Sequence, residues 1–170
     1  MAAVEATLKL LDAWYNEPTQ GGDRPKLLSK LSVLELCGWL EGEFDRLALV
    51  VDEISLGASD WVKQNILDST NGFLYDQHWR KMLVQIVGEC FARRIEIEME
   101  DRYPGSLSQM KSLLGGLWKI RCEYAHADMT ANAISMKSFS APSWSTNQYR
   151  LLRKLLGQYE AVLRDVLSDI

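Results

Sequence analysis

Apolar residues recur along this chain at steps of three and four, the spacing of one face of an α-helix. After Ser32 the positions Leu36, Leu40, Phe44, Leu47, Val51 and Ile54 keep that step and predict one long helix with a buried stripe. Ser32 with Glu35 three residues on has the form of a capping box, in which each side chain satisfies a backbone donor at a helix start. Gly57 is placed to stop that helix. A shorter helical piece at about 60–67 precedes the turn-like Asp68-Ser69-Thr70-Asn71-Gly72.

A second long helix is expected over about 76–101, with Trp79, Leu83, Ile86 and Cys90 on one face and Pro104-Gly105 ending it. The third starts at Ser106, where Gln109 completes another capping-box pattern, and runs to about His126 on the stripe Leu107, Met110, Leu114, Leu117, Arg121, Tyr124. The last starts near Ser145, with Gln148 three residues later, and carries Tyr149, Leu152, Leu156, Tyr159, Leu163, Val166 and Ile170. A helix over about 4–16 leads into Gly-Gly-Asp-Arg-Pro at 21–25. The Ser-, Ala- and Thr-rich stretch 127–144 reads as a long loop, a length that is uncommon inside compact domains, and Trp144 at its end is expected to anchor it. No alternating strand and no internal repeat emerge. The expectation is an all-α, up-and-down bundle of four to five main helices with a long loop before the last. It forms a single domain over 1–170, with an N-terminal helix and connection at 1–25 and the bundle core at 26–170.

Composition supports this and narrows the function. With 170 residues, 47% hydrophobic and 25% charged, the chain has the make-up of a folded domain rather than a disordered one. A net charge of -4 argues against a surface that coats nucleic acid or anionic membrane as a whole, while leaving room for a local basic cleft. The longest aliphatic run, residues 47–51, is far short of a membrane span. With acidic Glu5 near the start and no basic-then-apolar segment, the sequence is read without a signal peptide and as cytoplasmic. Cys37, Cys90 and Cys122 are odd in number and form no CxxC pair, which fits reduced thiols better than a disulfide framework.

The informative residue is Arg121. It falls on the apolar stripe between Leu117 and Tyr124, and a guanidinium there is costly unless something anionic or strongly accepting meets it. It cannot escape by deprotonating. Its partner can be a carboxylate such as Glu98, helix-end carbonyls, a second chain or a ligand phosphate. His126 lies five residues on. At about 100° per residue the two positions differ by about 140° around the axis. They meet only if the helix ends or bends between them, if the Arg121 stem wraps round, or if a second copy of the chain supplies one of them.

The run Leu117-Trp118-Lys119-Ile120-Arg121-Cys122-Glu123-Tyr124-Ala125-His126 resembles the signature of the HEPN superfamily, an Arg followed after four to six residues by a His near the end of a long helix. Two long helices before it and one amphipathic helix after it extend the resemblance, which is closest to the small stand-alone proteins of toxin and defence systems. The resemblance implies a metal-independent endoribonuclease, without cofactor or metal, whose Arg121 and His126 come from both subunits of a homodimer. RNA would be its substrate, and an antitoxin or defence-system protein its partner. Lys119, Cys122 and Tyr124 are supporting or substrate-binding candidates. Two positions depart from the family. Many catalytic members carry a polar residue, commonly Asn, where Cys122 stands. Members silenced by nucleotide transfer carry a Tyr where Asp128 stands, so that regulation is not expected.

The chemistry is consistent with those residue types. Cleavage through the RNA's own 2′-hydroxyl needs a base, an acid and positive charge on the phosphorane. Histidine serves as acid or base near neutral pH, and arginine's planar fork suits phosphate oxygens. One chain holds only His78 and His126, so a two-fold dimer would supply both roles. His78 beside Trp79 reads as a surface or packing residue. Cys122 and His126 at i, i+4 have no second Cys/His pair to complete a zinc site, and a Cys122 thiol nucleophile is a minor alternative. Gly115-Gly116 permits close helix approach or a bend. The charged segment 93–102 reads as a solvated face. Two other readings stay open: a non-catalytic HEPN-like module binding RNA, nucleotide or a protein partner, and a helical adaptor in which Arg121 is paired internally.

Overall fold

A computed structural model of the protein describes residues 3–18, 22–126 and 140–168, without the His126 side chain. Among the described residues it is an all-α protein of six helices with no strands, a helical bundle. The helices are α1 (Ala3–Tyr15), α2 (Arg24–Ser55), α3 (Ser59–Val62), α4 (Arg80–Arg102), α5 (Ser106–His126) and α6 (Pro142–Leu167). Single π-helical turns extend α3 (Lys63–Leu67) and lead into α4 (Tyr75–Trp79). The chain forms two compact units, Met1–Trp39 with Gly116–Leu151, and Leu40–Gly115 with Leu152–Ile170.

In the first unit Leu8 and Leu11 of α1 join Leu28, Val33 and Leu36 of α2, Leu117 and Tyr124 of α5, and Tyr149 of α6 in the buried core. The Trp39 ring meets Tyr149 edge-on, with centroids 4.7 Å apart. Ser32 is not a cap. The helix begins eight residues earlier, where the Leu27 amide bonds to the Asp23 carbonyl (3.0 Å) and Pro25 occupies the first turn, a position that does not use its missing N–H. Ser32 is instead buried in mid-helix, its hydroxyl donating to the Ser29 carbonyl (2.8 Å) and lying 3.0 Å from the Ser145 hydroxyl. Ser145 fails as a cap for the same reason, because α6 begins at Pro142. Trp144 is therefore already helical, its amide bonded to the Ala141 carbonyl (2.9 Å). Of the loop expected at 127–144, residues 127–139 lie outside the described residues, as does Ile170.

In the second unit Phe44 stacks on Trp79 (5.4 Å between centroids, 13° between planes), and Tyr159 meets Trp79 and Tyr75 edge-on. The α2 stripe holds as far as Val51, with Ile54 half-buried. Its end is built by Asp52, whose carbonyl accepts from the Leu56 and Gly57 amides and whose carboxylate accepts from the Ala58 amide (3.0 Å). Gly57, at φ 63, makes the stop. The expected α4 stripe breaks after Ile86. Gly88 adopts φ 82 and ψ 165 inside the helix, which shifts the phase of everything after it. Cys90 is consequently exposed, and Ala92, Ile95 and Met99 continue the buried face.

α5 spans the expected residues, but its cap is different. The Gln109 amide bonds to the carbonyl of Gly105 (2.9 Å), so Gly105, not Ser106, precedes the helix. Among the described residues nothing approaches Gly115 or Gly116 closely, since a Cβ on either would meet none of their atoms within 4 Å.

Candidate functional site

α5 carries all five residues singled out in the sequence, on its last two turns. Met110, Leu114, Leu117 and Tyr124 of its stripe are buried, and Arg121 between them is half-buried. The Arg121 guanidinium lies over the Trp118 indole, 5.2 Å from the ring centroid. A cation on an aromatic face keeps its charge while its flanks are covered. Lys119 is exposed and Cys122 half-buried.

Tyr124 is buried and its phenol is pushed above its ordinary range. Burial is the main cause, a backbone hydrogen bond with Ser140 opposes it, and the Glu123 carboxylate adds to it. That bond ties α5 to Ser140, two residues before α6, so Tyr124 holds the chain on both sides of the 127–139 segment. The carboxylate considered for Arg121 is engaged elsewhere: Glu98 accepts from the Arg102 guanidinium (2.6 Å), which also pairs with Asp165.

α5 is helical through His126. One of the three ways of joining Arg121 to His126 is thereby removed, because the helix neither ends nor breaks between them. Residues five apart on a continuous helix remain about 140° apart around its axis.

Two further features escape sequence reasoning. The first is an acidic groove of about 500 Å³ lined by Glu41 and Asp45 of α2 with Asp68, Thr70, Asn71 and Gly72. The Asp45 carboxyl is raised above its ordinary value by burial, then by the Glu41 and Asp68 charges. Nothing local in the sequence signals that α2 and the 68–72 turn meet. The second involves Glu96, read from the sequence as part of a solvated face. It accepts from the Tyr75 hydroxyl (3.1 Å) and from Arg80 (3.0 Å), and Tyr75 in turn lies 3.3 Å from the Tyr159 hydroxyl. Burial, chiefly, raises both phenols, Tyr159 to about 12.

His78 packs, as one of its sequence readings has it. Its Nδ1 accepts from the Leu74 amide (2.9 Å), and its ring lies so close to Gly72 that a Cβ there would come within 2.7 Å.

No family model, curated protein or solved structure matches the chain. Among the described residues no group of three or more His, Cys, Asp or Glu side chains is placed to hold a metal, and no helix is long and apolar enough to cross a membrane.

Proposed function

We propose that the chain is a HEPN-like, up-and-down helical domain that cleaves RNA without a metal, in a cytoplasmic toxin or defence setting. Arg121 and His126 of two copies would form one composite site. The observation that carries this reading is the continuous helix through His126: within one chain the two residues occupy different sides of α5, whereas a two-fold pairing can bring Arg121 of one copy toward His126 of the other. The placement of Arg121 supports it too, half-buried and laid on Trp118 near the helix end.

In that site a histidine accepts the proton of the 2′-hydroxyl as its oxygen attacks phosphorus. The second copy's histidine protonates the departing 5′-oxygen. The P–O5′ bond breaks and a 2′,3′-cyclic phosphate remains. The arginines neutralise the charge that builds on the non-bridging oxygens, where fixed donors contribute most to the rate. Lys119, exposed two residues before Arg121, can reach the RNA backbone.

A second reading rests on Cys122, which follows Arg121 where many catalytic members have Asn: a non-catalytic module that binds RNA, nucleotide or a partner such as an antitoxin. RNA cleavage in excess EDTA by the wild type and by His126→Ala, with the 3′ ends examined, separates the two. The nuclease reading expects cyclic-phosphate ends from the wild type alone. Equal cleavage by both proteins would point to a contaminant or a different site, and none by a folded wild-type dimer on a broad RNA panel would move the binding module ahead.

A further inference from the structure

Of the five asparagines in the chain only Asn71 is followed by a glycine. Asparagine is a labile residue, and that pairing is the reason. The backbone nitrogen of the next residue can attack the asparagine side-chain carbonyl, and a glycine there leaves the approach unhindered and the backbone free to turn. Folded structure ordinarily blocks the reaction, by bonding the asparagine amide or by locking the backbone in a helix. Asn16 and Asn65 are held in the first way, their amides donating to the Asp12 carbonyl (2.7 Å) and to the Trp61 carbonyl (2.9 Å). Asn147 lies inside α6, and Asn132 lies outside the described residues.

Asn71 has neither block. Its side chain is exposed, at the turn that lines the acidic groove with Glu41, Asp45 and Asp68. Among the described residues neither its amide nor the Gly72 N–H has a hydrogen-bond partner. Nor can the glycine give way to a bulkier residue that would protect Asn71. Gly72 holds φ 130, and a Cβ on it would come within 2.7 Å of the His78 ring. The packing that seats His78 therefore keeps the reactive pair in the sequence.

We propose that Asn71 is a self-modifying site, at which the chain converts its own side-chain amide to aspartate and isoaspartate. The Gly72 nitrogen gives its proton to solvent and bonds to the Asn71 side-chain carbonyl carbon. The bond from that carbon to the side-chain nitrogen breaks, and the nitrogen takes a proton from water and leaves as ammonia. The cyclic imide that remains is opened by water. Attack at the side-chain carbonyl gives aspartate. Attack at the main-chain carbonyl gives isoaspartate, in which the backbone runs through the side-chain methylene. Either product sets a new carboxylate beside Glu41, Asp45 and Asp68, where burial and then the Glu41 and Asp68 charges already raise the Asp45 carboxyl. Isoaspartate also lengthens the backbone just before Gly72, which moves that residue from its seat against the His78 ring. The modification charges the groove and loosens the turn that frames it.

The test is made on the folded full chain, held for days in warm buffer at about pH 8 and then cut with trypsin; it does not depend on the ribonuclease reading. Cleavage after Lys63 and Arg80 releases residues 64–80 as one peptide, which carries both Asn71 and the bonded Asn65. The amide-to-acid mass change is expected at residue 71, with isoaspartate among the products on fragmentation, while Asn65 keeps its amide. Asn71→Gln, whose extra methylene makes ring closure far slower, should leave the peptide unchanged. The aged protein should melt a few degrees below the fresh one, and below Asn71→Asp, which adds the charge without lengthening the backbone. An amide still intact at residue 71, equal loss at residues 65 and 71, or conversion only after unfolding in urea would overturn the proposal. So would aged, converted protein that melts with the fresh.

Discussion

The Arg121 guanidinium rests on the face of Trp118, 5.2 Å from the ring centroid and one helical turn back along α5. Residues three apart on a helix are surface neighbours, so the indole sets where the charge sits before any substrate arrives. Under the ribonuclease reading Arg121→Ala should lower kcat by about 10²–10³, the effect of removing a transition-state donor. Trp118→Leu should lower it by roughly tenfold through loss of a cation–π contact worth about 1 kcal/mol, while Trp118→Phe retains most activity. The check is kcat and KM for each variant beside its melting temperature. Equal losses for Leu and Phe would show that the ring face does not position the charge.

His78 makes stability depend on pH. Its Nδ1 accepts the Leu74 N–H and so must stay unprotonated. Burial lowers its pKa below the ordinary 6.5, the Glu41 carboxylate opposes that shift, and Lys81 adds to it. In the window just below 6.5 the unfolded chain therefore binds more protons than the folded one, and stability falls as pH falls. Melting temperature measured from pH 7.5 to 5.5 should drop more steeply for the wild type than for His78→Asn, whose amide oxygen can accept the Leu74 bond but does not titrate. Parallel curves would exclude His78 as the source.

Glycine substitutions should split by backbone conformation. Gly115 and Gly157 sit inside helices, and among the described residues nothing lies within 4 Å of an added Cβ. Alanine there should raise stability by about 0.5–1 kcal/mol, mainly by restricting the unfolded chain. Gly88→Ala must hold φ 82 inside α4 and should cost about 1–3 kcal/mol. Urea midpoints for the three variants test this, and a stabilised Gly88→Ala would mean that the α4 break is not required.

The sequence shows most of the fold. The α2 and α6 stripes, the extent of α5 and the Gly57 stop depend on near neighbours, and each lies where the three-four spacing and the turn residues place it. The caps are less legible. Ser32 and Ser145 have the side chains of helix starts, yet each is inside a helix, because Pro25 and Pro142 begin those helices earlier. Gly88 is equally silent in the sequence, since an isolated glycine in a helical pattern is compatible with either a smooth helix or a break. Of the candidate site, the sequence supplies Arg121 on an apolar stripe. It does not supply Trp118 as the surface on which that charge lies, because a tryptophan at i−3 can equally turn into the core.

What the sequence determined by itself is periodic and local: which residues are helical, which side of each helix is apolar, and which charge stands out of place. Tertiary structure alone decided the contacts between distant segments. Ser32 meets Ser145 across 113 positions, Glu41 and Asp45 come to face Asp68, and Glu96 leaves a charged run to hold Tyr75 and Arg80. The physical reason is that a helix stripe is fixed by repeated short-range geometry. The partner of one polar side chain is fixed only when separate helices pack, and desolvation then favours the packing that gives buried donors and acceptors a partner.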